Sequence, residues 1–230
     1  MWGIVILIVI HIPFLYLGAL FASRTAWFEG RVNGQRFSVA FSQVNDRGLE
    51  IADACRVVPL NPRILGSCIF AERCLNYLPV FEESMSMLFG NSVGFSQVNL
   101  RALSGALNSL WNPTSRDSLF FIKGKEGRWG RLYEYFASCK ELRAWQLKWK
   151  LELDDRFNIT SAGLILWMTL ERYRLSDGGV DATSNAAIAG TLFHVSFPRT
   201  ITQRPDKFGL AADSAYRRMD FMPHSLIASP

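Results

Sequence analysis

Glu72 stands near the end of the apolar stretch "NPRILGSCIFAERCL". A carboxyl where an apolar helix face meets a cleft is partly desolvated, which raises its pKa and suits it to proton transfer. The alternative is a surface glutamate beside its neighbour Arg73. Downstream, "GNSVGFSQVN" holds Ser92, Ser96, Gln97 and Asn99, neutral hydrogen-bonding groups suited to sugar hydroxyls and N-acetyl groups. Gly94 among them would let backbone come close to a ligand. The competing reading of this segment is a helix cap made by Ser or Asn.

The same segment has an echo. "SVAFSQVND" (Ser38–Asp46) and "SVGFSQVNL" (Ser92–Leu100) differ only at Ala40/Gly94 and Asp46/Leu100. In the first copy the polar side chains alternate with Val39 and Phe41, as in a strand with one apolar face. The resemblance between the copies reads as fortuitous, and the glycine-bearing second copy is the candidate site.

Those residues need elements to hold them. Asn33-Gly34 followed by Phe37, Val39 and Phe41 predicts a small β-hairpin ended by "NDRG". Asn61 as cap and Pro62 at the first helical position start a helix carrying Ile64, Leu65, Cys68, Ile69 and Leu75 on one stripe, with Pro79 as its stop. Leu110 to Gly130 reads as loop. A long helix is expected over Leu132 to Leu153, with Leu142, Trp145, Trp149 and Leu153 lining one face. "ITSAGLILWMTLERY" has an apolar run too short for a bilayer and predicts a helix buried inside the domain. "SNAAIAGTLF" reads as another short apolar helix. A last basic helix includes Arg217 and Arg218.

The 230 residues carry a formal charge of +5, with 49% hydrophobic and 20% charged residues. This length gives one sizeable core. The basic balance favours anionic partners such as phosphates or a lipid surface, or is simply a basic surface. There is no zinc spacing, no phosphate-binding glycine loop and no RNA-binding aromatic signature, so no nucleic acid is expected as a partner. Trp2 to Ala22 is uncharged, interrupted only by His11 and Pro13, and long enough to cross ~30 Å of hydrocarbon. It lacks the basic start of a signal peptide and reads as an uncleaved anchor. Arg24, Arg31 and Arg36 follow it; by the positive-inside rule they would lie in the cytoplasm, though one weakly charged span does not fix the side. Cys55, Cys68, Cys74 and Cys139 suit either disulfides or buried free thiols. His11, His194 and His224 are too scattered to indicate a catalytic histidine or a metal site.

The motifs together resemble a family. "LNPRILGSCIFAE" followed by "GNSVGFSQ" is similar to the first two motifs of the family 51 peptidoglycan glycosyltransferases, the transglycosylase domains of penicillin-binding proteins. "LRAWQLKWKLELDDRFNITSAGLILWMTLERY" resembles their long helix pair. "NAAIAGTLFHVSFPRTITQRP" with "YRRMDFM" resembles their closing helix, proline loop and arginine pair. The likeness covers about Val57 to Met222; Arg73 stands where the family has aspartate. It implies a mainly α, lysozyme-like helical domain with a small β-hairpin and an N-terminal transmembrane helix. The divisions would be an anchor over 1–23, a membrane-proximal hairpin segment over 24–58 and a transglycosylase domain over 59–230.

It also implies a function. Glu72 would act as general base on the 4-hydroxyl of a lipid-linked disaccharide, building glycan strands. Glu152 is the local counterpart of the family's second carboxylate. Arg73, Lys140, Arg143 and Lys148 would ease departure of the lipid pyrophosphate. No cofactor is required, although a divalent cation could assist. The body would be periplasmic, tethered to a bacterial inner membrane, with lipid-linked disaccharide or glycan strand, the membrane and membrane-complex proteins as partners. As a runner-up, "SVGFSQVN" also resembles a segment of lytic transglycosylases, which cleave strands to anhydro products. In that reading Glu83, with Ser84, or Glu72 is the acid. A catalytically inactive relative serving as a membrane-complex scaffold is the third reading.

Overall fold

The computed structural model describes residues 37–76, 92–111, 128–176, 182–195 and 205–219. These are mainly helical. Two compact units divide the chain, Met1–Ser42 and Gln43–Pro230. Among the described residues no helix is long and apolar enough to cross a membrane; the expected anchor, Trp2 to Ala22, lies outside them.

Residues 37–46 are helical (α1), which corrects the strand expected over the first repeat copy. Phe37 and Phe41 stack with ring centroids 6.1 Å apart. Aromatic residues four apart share one face of a helix, so a short run that also fits alternation satisfies either period. Asn33-Gly34 lies outside the described residues.

In the larger unit, α2 is Gly48–Val57 and α3 is Pro62–Asn76. Helix α3 begins as its sequence dictates: Asn61 Oδ1 accepts from the Arg63 amide at 2.9 Å, ahead of proline at the first helical position. The hairpin of the domain sits at the second repeat copy. Strands β1 (Ser92–Val93) and β2 (Val98–Asn99) pair antiparallel, Ser92 opposite Asn99 and Val93 opposite Val98. Helix α4 (Leu100–Trp111) follows at once, as the helix-cap reading of the segment requires, and it carries Leu110 and Trp111 out of the loop expected from Leu110.

The long helix expected over Leu132–Leu153 is broken. It consists of α5 (Arg128–Phe136), a 3₁₀ turn over Ala137–Cys139 and α6 (Ala144–Leu153). The expected apolar face faces outward: Trp145, Trp149 and Leu153 are 59%, 46% and 76% exposed, while Leu147 and Leu151 are buried. Restarting the helix at Ala144 rotates the stripe off the core, so Leu147 and Leu151, four apart, become the packing residues.

Helix α7 (Asp155–Ser176) is the axis of the unit. Every residue from Phe157 to Leu170 is buried. It touches α2, α3, α4, α6, β2 and α8 (Ala186–Val195). Helix α9 (Lys207–Arg218) packs on α3 and α8. The α8–α9 crossing is close enough to demand glycine: a Cβ on Gly209 would overlap the Ala187 carbonyl. None of the four cysteines is in a disulfide, and Cys68, Cys74 and Cys139 are buried.

Candidate active site

Consecutive residues of a helix diverge by about 100°, and the pair Glu72–Arg73 uses that divergence. Glu72, only 8% exposed, lines a cavity of about 230 Å3 together with Ser92, Gln97, Asn99 and His194. Val98, Ala102, Ile165 and Phe193 form its apolar wall. Arg73 lines a second cavity of about 550 Å3, with Gln43, Asp46, Arg47, Gly94, Phe95, Glu152 and Asp155. Five elements thus meet at the Glu72 cavity: α3, the β1–β2 hairpin, the start of α4, the middle of α7 and the end of α8.

The hairpin loop is held by two anchors. Arg73 is the first: its Nη1 donates to Phe95 O at 2.7 Å, its Nε donates to Gln43 Oε1 at 2.9 Å, and the guanidinium lies 4.3 Å from the Phe95 ring centroid. Asn158 is the second. It is fully buried, accepts from the Ser96 amide at 2.7 Å and donates to Leu151 O at 3.1 Å. This joins the loop to the junction between α6 and α7. Gly94 has φ +73° and Gln97 φ +50°, so both bend through the left-handed region. Gln97 Nε2 donates to Gly94 O at 3.1 Å, which fixes that side chain at the cavity rim.

The sequence candidates divide accordingly. Glu72, Ser92, Gln97 and Asn99 come together. Asn99 also caps α4, its Oδ1 accepting from the amides of Arg101 at 3.0 Å and Ala102 at 3.1 Å. The cap reading and the site reading therefore fall on one residue. Gly94 lies on the second cavity and is needed for a close approach to Asn158 and Leu151. Ser96 is fully buried and is not among the lining residues of either cavity. Glu152 lines the Arg73 cavity, apart from Glu72. Arg143 is exposed at the N-terminus of α6, where its amide donates to Gln146 Oε1 at 2.9 Å. Lys148 is half-buried on α6 and Lys140 exposed before it; neither lines the Glu72 cavity. Glu83 lies outside the described residues.

Two residues at the site were not among the sequence candidates. His194 is at the end of α8, and its Nδ1 lies 3.0 Å from Asp206 Oδ2. Its ring stacks on Phe208 with centroids 3.5 Å apart. Asn158 is the other; it stands in "RFN" immediately before the stretch "ITSAGLILWMTLERY". Cys68, one turn before Glu72, is fully buried, and burial and then the Glu72 charge push its thiol far up. It is no nucleophile at neutral pH. Among the described residues no group of three or more His, Cys, Asp or Glu side chains could hold a metal ion.

No family model, no curated protein and no solved structure matches the chain.

Proposed function

We propose that the protein is a glycan-strand-cleaving transglycosylase with Glu72 as its acid. The observation that carries this reading is the make-up of the Glu72 cavity: one carboxylate facing the neutral polar groups Ser92, Gln97 and Asn99. Hydroxyl and amide groups recognise sugar hydroxyls and N-acetyl groups without charge. At about 230 Å3 the cavity is smaller than the roughly 300–1,000 Å3 of pockets that enclose a whole small molecule. It suits one ring of a longer chain.

Intramolecular transglycosylation needs one acid and one proton acceptor, but no second carboxylate. Glu72 donates its proton to the glycosidic oxygen, and the bond from that oxygen to the anomeric carbon breaks. The sugar's own 6-hydroxyl oxygen then attacks the anomeric carbon and passes its proton to a basic group at the cavity, closing an anhydro ring. No water and no lipid carrier are consumed. A central buried helix wrapped by others, with a short hairpin against it, is compatible with a lysozyme-like arrangement. An anchor at Trp2 to Ala22 would hold the body beside the wall on the periplasmic face of a bacterial inner membrane.

Strand polymerisation from lipid-linked disaccharide is less well supported by this geometry. It calls for a second carboxylate and cations near a departing pyrophosphate, and Glu152 and Arg73 line the other cavity.

Purified protein in detergent is given intact sacculi in one reaction and lipid-linked disaccharide in another. Anhydro-muropeptides are expected from sacculi, with a loss of about 10²-fold or more in Glu72→Gln, since removal of a general acid costs on that order. Polymer from lipid-linked disaccharide, or undiminished cleavage by Glu72→Gln, would overturn the proposal. Binding to sacculi without turnover would point to the scaffold reading.

A further inference from the structure

We propose that His194 is a second proton-transfer group of the Glu72 cavity, held for that role by Asp206. The inference rests on the glycan-cleaving reading and divides its acid and base steps between two side chains. Glu72 and His194 are the two titratable residues among those that line the cavity. They come from helices distant in sequence, α3 and α8. Ile165 is the residue that α7 contributes. Among the described residues, Glu72 from α3 shares the cavity with His194, and Asp206 at the start of α9 lies against its ring.

The surroundings of His194 are those of an oriented base. Asp206 is itself fixed. Its Oδ1 caps α9 by accepting from the Gly209 amide at 2.9 Å, and its own amide donates to Thr191 Oγ1 at 3.1 Å. The other carboxylate oxygen, Oδ2, is left for His194 Nδ1. A carboxylate acceptor on Nδ1 selects the neutral tautomer with its proton there and leaves the Nε2 lone pair as acceptor. Stacking on Phe208 removes the ring's rotational freedom.

The proton balance is complete. Glu72 gives its proton to the glycosidic oxygen as the bond to the anomeric carbon breaks. His194 Nε2 takes the proton of the 6-hydroxyl as that oxygen bonds to the anomeric carbon. The turnover leaves a Glu72 carboxylate and a His194 imidazolium, and one proton returning through solvent from histidine to glutamate resets the pair.

The test uses full-length protein in detergent with sacculi. His194→Ala is expected to lower kcat by about 10²–10⁴-fold, with KM changed by less than about threefold, and added imidazole to restore part of the rate. Asp206→Asn keeps a good helix cap. It should hold the thermal midpoint of the parent while lowering kcat, because an amide N–H facing Nδ1 selects the wrong tautomer. Imidazole ¹⁵N spectra, assigned with His194→Ala, should show Nδ1 protonated in the parent and a shift of Nε2 on addition of an N-acetylglucosamine oligomer. Wild-type rates in His194→Ala, or a loss that imidazole does not touch and that tracks the thermal midpoint, would overturn the inference. So would an unmoved Nε2 resonance, a readout that does not need turnover. Failure of the underlying reading looks different: Glu72→Gln then cleaves as well as the parent.

Discussion

Gly94 leaves no room for a side chain against Asn158: a Cβ at 94 would fall 2.9 Å from Asn158 Cγ and 2.5 Å from Leu151 O. The glycine serves the packing of the hairpin loop onto the α6–α7 junction, and so places Gln97 at the rim of the Glu72 cavity.

Gly94→Ala should therefore be costly twice over. The left-handed φ of +73° penalises any Cβ by about 1–2 kcal/mol, and the overlap adds to that. A total loss of about 2 kcal/mol or more is expected, read as a lower midpoint in urea denaturation. Strand cleavage should fall with it. A stability change under about 0.5 kcal/mol, the range of ordinary surface substitutions, would show that the loop sits elsewhere.

Asn158→Ala removes a fully buried amide and takes one hydrogen bond from the Ser96 N–H and one from the Leu151 carbonyl. Each such loss at a buried group costs about 1–3 kcal/mol, so a loss of at least about 2 kcal/mol is expected in thermal or chemical unfolding. Ser96→Ala, which removes a buried hydroxyl with no hydrogen-bond partner among the described residues, should be close to neutral by the same measurement.

The two faces of α6 should respond in opposite ways. Trp145→Ser and Trp149→Ser change exposed side chains and should each alter stability by no more than about 0.5 kcal/mol. Leu151→Ala hollows a fully buried position and should cost about 2–5 kcal/mol. If the tryptophans prove the sensitive pair, α6 packs with the opposite face inward.

Cys68 gives the domain an alkaline weakness. Its folded-state thiol is pushed well above the unfolded value by burial, then by Glu72. As pH rises past the unfolded thiol pKa of about 8.5, the unfolded chain loses its proton first, and stability falls. By pH 10 this thiol alone removes about 2 kcal/mol; below about pH 8 it contributes no slope. Unfolding midpoints measured between pH 7 and 10 should fall less steeply in Cys68→Ala; the slope that remains belongs to Cys55 and Cys139, whose thiols burial also raises. Native protein should also leave Cys68 unmodified by thiol reagents at pH 8 and expose it in denaturant.

Much of the helical layout was legible in the chain because its signals are local. The Asn61-Pro62 start of α3 is a backbone preference of those two residues, and the apolar run of α7 is too long for a strand and too short for a bilayer. The ambiguous stretches were those where two periods fit equally. Ser38–Asp46 satisfies alternation and also an i, i+4 aromatic pair, and the tryptophan stripe suits a buried or an exposed face. Glu72 and Gln97 were legible as candidates from their settings in apolar and glycine-bearing segments.

The sequence by itself determined a mainly helical, basic chain with a long central apolar helix, and a glutamate followed by a sugar-compatible polar segment, because caps, composition and periodicity act over a few residues. Tertiary structure alone decided that Glu72 faces Gln97, Asn99 and His194 while Arg73 and Glu152 turn to another cavity. It alone set Asp206 behind His194. Those neighbours come from separate helices, and their meeting depends on how α3, α7, α8 and α9 pack, down to the glycine at the α8–α9 crossing. No spacing along the chain encodes that.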